Sequence, residues 1–210
     1  MSLFGRKDDA EIRFRSDIAG AHGDTESVSH RLTLELARAE TFAAMLAHSR
    51  ASRTIEITDL LAGMYICNWD RLSRYWAEEY REDVESWLRG VCRISPQRWH
   101  SWIESYDRER DEAKPSRFLR LLPKRKKASP VESPLQLSAA LAAVIKRAEN
   151  LAPFRDRMED RAIPILTSEC VLLCIARSYG SEVSQRLAQL GLDMAKLEQD
   201  ALSPRRGPLT

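Results

Sequence analysis

From Val28 onward the apolar positions fall into a regular stripe. Leu32, Leu36, Ala39, Phe42, Ala43 and Leu46 recur at intervals of three and four residues, the spacing of one helix face. A second, shorter helix is expected from Thr58, with Leu60, Leu61, Met64 and Tyr65 on its apolar side. Further helices are predicted over 70–77, 81–91 and 96–111. The last opens with Ser95-Pro96, a capping side chain followed by proline at a position where its missing N–H costs nothing. Ser133-Pro134-Leu135-Gln136 reads as a new start, with Gln136 placed to complete a capping box. Helices over 135–151, 167–178, 182–190 and 194–202 then follow. No segment shows the period-two alternation of a half-buried strand, so the expected fold class is all-α.

Two stretches repeat. Arg38-Ala39-Glu40-Thr41-Phe42-Ala43 matches Arg147-Ala148-Glu149-Asn150-Leu151-Ala152 at an offset of 109. Asp59-Leu60-Leu61-Ala62-Gly63-Met64 aligns with Cys170-Val171-Leu172-Leu173-Cys174-Ile175 at an offset of 111. Matches in the same order suggest a duplication of one helical unit. The segments outside the units are polar. Residues 1–27 are expected to form a disordered arm. Residues 113–132, with Pro115, Pro123 and Pro130, read as a basic linker, and 203–210 as a tail. The expected organisation is repeat 1 with an additional Trp-rich helix over 28–112, the linker, and repeat 2 over 133–202.

Composition narrows the class without naming an activity. In 210 residues there are only 8 Gly and 9 Pro, which favours helices over turn-rich β architectures. No run approaches the roughly 18 apolar residues of a membrane span. The N-terminal residues lack the apolar stretch of a secretion signal, and the 4 Cys have no disulfide-framework spacing, so a cytoplasmic location is expected. The net charge of +2 hides a segregation: 114–130 carries +7, while 28–113 carries −3 and 131–202 carries −2.

The stretch Thr167-Ser168-Glu169-Cys170-Val171-Leu172-Leu173-Cys174-Ile175, followed by Gly180-Ser181-Glu182 and later by Leu190-Gly191-Leu192-Asp193, resembles the repeat of the N-terminal domain of Clp-family unfoldases. In that family a Thr-Glu-His-Leu-Leu-like helix start precedes a short helix ending in Leu-Gly-Val-Asp. Gly191 suits a left-handed helix end, and Asp193 suits the cap of the next helix. The resemblance covers 135–202 more firmly than 29–92, where the Leu-Gly-Val-Asp signature is missing. It implies two four-helix repeats, with no paired strands in 135–202. It also implies a noncatalytic interaction module: an adaptor or accessory subunit docking an unfoldase or protease component or a client peptide. Some relatives hold a phosphorylated arginine with acidic side chains at the start of the second helix of each repeat. The corresponding positions are Thr58 and Glu169, and only Glu169 carries a charge.

Other residues suggest surfaces. All five Trp fall between Trp69 and Trp102, and nine of the fifteen aromatics lie between 65 and 106. Trp69, Trp76 and Tyr80 are candidate partner anchors, with burial in a core as the competing role. The basic run, including Lys124, Arg125, Lys126 and Lys127, could bind phosphate backbones, which makes a nucleic-acid-associated protein the first alternative. A solvated linker explains the same run. A hydrolase-like enzyme is the second alternative. The chain nevertheless lacks a phosphate loop, a nucleophile elbow and a His-Glu-x-x-His motif. Cys170 and Cys174 read as small core residues, and neither a metal nor a cofactor is expected.

Overall fold

A computed structural model describes residues 30–111, 135–158, 161–178 and 180–203 of the chain. The expected arm (1–27), the basic linker with Lys124–Lys127, and the tail after Ser203 lie outside these residues.

The protein is mostly helical. Strand β1 (Arg31–Leu32) leads into helix α1 (Leu34–Ser49), and β2 (Thr54–Ile55) into α2 (Ile57–Leu72). Helices α3 (Arg81–Cys92) and α4 (Pro96–Asp111) complete the first half. The second half runs β3 (Gln136–Leu137), α5 (Ala139–Leu151), β4 (Phe154–Met158), β5 (Arg161–Leu166), α6 (Ser168–Ala176), α7 (Glu182–Gln189) and α8 (Met194–Leu202).

Two helices are buried on all sides over most of their length, as central helices are. In α2 every residue from Leu60 to Asn68 is buried, and in α6 every residue from Ser168 to Ala176. α1 packs its predicted stripe against α2, burying Leu36, Ala39, Phe42, Ala43, Leu46 and Ala47. Glu56 and Asp59 close the α2 N-terminus as a reciprocal capping box. Ser95 caps α4 by accepting from the Arg98 N–H at 3.3 Å, and Asp193 caps α8 by accepting from the Lys196 N–H at 3.0 Å. Both caps stand where the sequence puts them.

The two halves have corresponding backbone hydrogen bonds. β1 pairs in parallel with β5, matching Leu32 to Leu166, and β2 pairs in parallel with β3, matching Ile55 to Leu137. The Thr33 N–H donates to the Leu166 carbonyl at 3.0 Å, and its counterpart Ser138 N–H donates to the Ile55 carbonyl at 3.0 Å. Each half therefore lends its first strand to the other half. The later turns correspond as well. Ile94 N–H reaches Arg89 O at 2.9 Å, and Leu192 N–H reaches Leu187 O at 3.2 Å. Arg93 and Gly191 are both left-handed, with φ of 54° and 73°.

Several expectations are corrected. The chain is not free of strands: β4 and β5 form an antiparallel hairpin within 135–202, flanked by β1. The parallel pairs β1–β5 and β2–β3 carry two residues each, too few for an alternation signal, and Phe154–Met158 and Arg161–Leu166 show no period-two alternation either. Helix α5 starts at Ala139 rather than Leu135. Gln136 and Leu137 are drawn into pairing with β2, and Ser138 becomes the cap through the Leu141 N–H at 3.3 Å. The first-helix repeat is registered one turn from the sequence match, with Leu36 equivalent to buried Leu141 and Ala43 to buried Ala148. Among the described residues no additional helix exists, because α3 and α4 are the counterparts of α7 and α8. In the first half, Cys92-Arg93-Ile94-Ser95 forms the turn that Leu190-Gly191-Leu192-Asp193 forms in the second. The helix expected over 70–77 breaks up: Asn68 leaves helical geometry (φ −146°, ψ 23°), and 3-10 turns follow at Ser73–Tyr75 and Glu78–Tyr80.

Candidate functional site

Beyond Asn68, the end of α2 and the Ser73–Tyr75 turn lie over the second half and fasten the two together. Asn68 Nδ2 donates to Ser168 Oγ at 3.1 Å inside the structure. Arg71 Nε donates to Glu169 Oε1 at 2.5 Å. Arg74 Nη2 stands 3.0 Å from Asp200 Oδ2 and 3.5 Å from Glu169 Oε1. The Tyr75 hydroxyl donates to Asp200 at 3.0 Å, and the Tyr75 carbonyl accepts from the Asp193 N–H at 2.8 Å. Burial pushes the Tyr75 hydroxyl up to about 12.

This arm turns the chain so that Trp76 falls back on Trp69. Their ring centroids are 5.8 Å apart and their planes 28° from parallel. Tyr65 joins the stack, 4.3 Å from Trp69 and 5.4 Å from Trp99. The rings wall a shallow apolar depression with free space of about 20 Å³, lined also by Leu61, Met64 and Leu72 of α2, by Val84, Trp87 and Leu88 of α3, and by Leu172 and Leu187 from the second half. Trp69, Trp76 and Trp87 are half-buried, so each offers part of its ring at the mouth. The Trp76 Nε1–H is buried without a hydrogen-bond partner, an uncommon state for an indole.

The structure brings some candidate residues together and separates others. Trp69 and Trp76 share the pocket. Trp99 is wholly buried and belongs to the core, where it packs near Tyr65. Tyr80 does not line the pocket; its ring lies on Gly191, where an added Cβ would come within 2.7 Å of it. Glu169 is 1% exposed and ion-paired with Arg71 and Arg74, so its carboxylate already holds guanidinium groups of its own chain. Thr58 is half-buried on the first turn of α2, its carbonyl accepting from the Cys92 thiol at 3.5 Å. The basic residues Lys124, Arg125, Lys126 and Lys127 fall outside the described residues.

Sequence reasoning missed Trp87, Met64 and the second-half residues Leu172 and Leu187 as lining. Leu172 was legible only as part of a buried helix, and its approach to Trp69 depends on how the halves dock. A second charged centre was also missed. Asp59 is fully buried and takes Arg50 in a two-point bond, at 2.5 and 2.7 Å, while accepting the Glu56 N–H at 2.9 Å. Burial, with the neighbouring Asp59 carboxylate, pushes the Cys92 thiol up to about 12. Burial also raises Cys174 to about 11 and shifts Cys170 upward. These thiols are suited to packing rather than to nucleophilic work.

Among the described residues, no group of three or more His, Cys, Asp or Glu side chains is placed to hold a metal ion. No described helix is long and apolar enough to cross a membrane. Compared with protein-family models, curated proteins and solved structures, the chain matches none of them.

Proposed function

We propose that the protein is a noncatalytic interaction module, an adaptor or accessory subunit that docks another protein at the pocket around Trp69. The observation that carries this reading is the exposure of three half-buried tryptophans around one apolar depression. Large aromatic side chains at a concave surface supply apolar area at low cost in side-chain entropy, the usual composition of a binding hot spot. The depression is assembled from both halves, and the ion pairs of Arg71 and Arg74 hold those halves in place. A partner therefore meets a surface organised in advance.

Kinship with the Clp N-terminal repeat forms part of the same proposal. It is supported by the two-fold organisation into four-helix units and by the Leu190–Asp193 turn. The β4–β5 hairpin departs from the strand-free second repeat that the resemblance implied, so the functional reading rests on the pocket instead. The internal pairing of Glu169 argues against its serving as an open acceptor for an arginine ligand.

Affinity capture from cells expressing the tagged full chain tests the reading, with Trp69→Ala and Trp87→Ala as comparisons. A defined protein recovered by the parent and lost by both folded variants supports it. Recovery unchanged in both variants overturns it.

A further inference from the structure

Of the three tryptophans around the depression, Trp69 and Trp87 project from helices α2 and α3, and Trp76 from the link between them. That link is anchored at both ends. Tyr75 is wholly buried, its hydroxyl donating to Asp200 and its carbonyl accepting from the Asp193 N–H. Tyr80, at the start of α3, is seated on Gly191. Between the anchors, Trp76 and Ala77 have extended backbone, and Ala77, Glu78 and Glu79 are exposed. The Trp76 ring leans on Trp69, with its Nε1–H buried and unpaired. Turned outward, that N–H would gain water as a partner. The Trp99 Nε1–H is also unpaired, but its ring is wholly buried in the core. The free space in the depression is about 20 Å³, on the scale of one water. A side chain enters only if a ring leaves, and Trp76 is the ring carried by exposed, extended backbone.

We propose that Trp76 is the resting plug of the docking site: its ring holds the place that one aromatic side chain of the partner takes, and swings out to water when the partner binds. This rests on the reading of the depression as a docking site, and adds what fills it beforehand and the size of the group that replaces it. The ties of Arg71, Arg74 and Tyr75 stay in place, so the exchange is confined to one ring. The incoming ring recovers the stacking on Trp69 that Trp76 gives up. Because only the opened state is competent to bind, the plug lowers the apparent affinity by the fraction of molecules that are open. Removing it should therefore tighten binding, the opposite of removing a contact.

Indole is the probe, titrated into the full chain labelled with 5-fluorotryptophan and followed by fluorine NMR. The five tryptophan signals are assigned with single Trp→Phe variants. In the parent chain indole should bind weakly and move the Trp76 signal toward that of a solvent-exposed indole, with Trp99 unmoved. Trp76→Ala should bind indole about tenfold more tightly than the parent or better, and Trp69→Ala on that background should abolish the binding. Circular dichroism checks that each variant folds; if Trp76→Ala does not, Trp76→Phe takes its place, with the same order of affinities expected. Saturation with the Trp76 signal unmoved, equal affinity in parent and variant, or no saturable binding to the variant would each overturn the proposal. In affinity capture from cells, Trp76→Ala should recover at least as much partner as the parent, whereas Trp69→Ala and Trp87→Ala lose it. If the indole titration fails while those two variants still release the captured protein, the docking function stands and only the plug falls.

Discussion

Gly63 of α2 lies so close to the carbonyl of Ala39 in α1 that a Cβ built on it would stand 2.2 Å from that oxygen. The contact is backbone against backbone, and no side-chain rotation relieves it. Gly63→Ala should therefore force the two helices apart. Overpacking of this kind costs about 1–3 kcal/mol, and the rigid neighbour places this site at about 3. The denaturant midpoint of the variant measures it, and an unchanged midpoint would contradict the close approach. Cys174 holds the equivalent place in the second half, so Cys174→Gly should instead leave a small void.

The Arg50–Asp59 pair predicts an asymmetry. Asp59 is fully buried, whereas the Arg50 side chain retains 20% exposure. Removing the guanidinium leaves a carboxylate with no water, and breaking a buried pair in this way costs about 3–5 kcal/mol. Arg50→Met should accordingly destabilise more than Asp59→Asn, which leaves a partly solvated cation. The double change Arg50→Met with Asp59→Leu should recover part of the loss. Unfolding free energies of these variants check the order, with Asp59→Leu alone added to close the double-mutant cycle.

The two left-handed turns should respond in opposite directions. Gly191→Ala adds a strained backbone and drives a methyl into the Tyr80 ring, so a loss of about 2 kcal/mol is expected. Tyr80→Ala in the same chain should relieve the ring contact and leave the backbone part. At the equivalent turn Arg93→Gly should be neutral or stabilising, by up to about 1 kcal/mol. Thermal melts of the four proteins decide it; equal losses at both turns would sink the equivalence.

Alkaline pH should weaken the fold. Cys92 and Tyr75 are each raised to about 12, from ordinary values of 9.0 and 10.0, and Cys174 to about 11. Because the folded-state values are higher, the neutral forms contribute their stability fully below about pH 9. That contribution is lost as pH climbs through 11 and 12. Urea midpoints should be flat from pH 7 to 9 on this account and fall above it. The four buried cysteines should also react with a thiol reagent at pH 8 only as fast as the protein opens.

Helices long enough to show a stripe were legible in the sequence. α4 and α8 end where their pattern ends, and Ser95 and Asp193 cap them. What escaped was whatever depends on a distant partner. Gln136 and Leu137 look like the start of a helix until Thr54 and Ile55 compete for their backbone groups. Asn68 interrupts a good helical pattern, and its side chain finds Ser168 only after the halves meet. For the same reason the tryptophan cluster could be seen but not divided. Trp99 becomes core and Trp69 becomes surface through the packing of α3 and α4 on α2, which no local pattern records.

The exchange of β1 and β3 between the halves has a consequence for how such a chain can arise and be taken apart. One half on its own has an unpaired strand and an unfilled place for its copy's strand, so it closes only by associating with another of its kind. Because one chain carries both halves, their association through β1 and β3 is unimolecular. Cleavage between residues 111 and 135 should thus yield two fragments that fold together when mixed and fail to fold when apart.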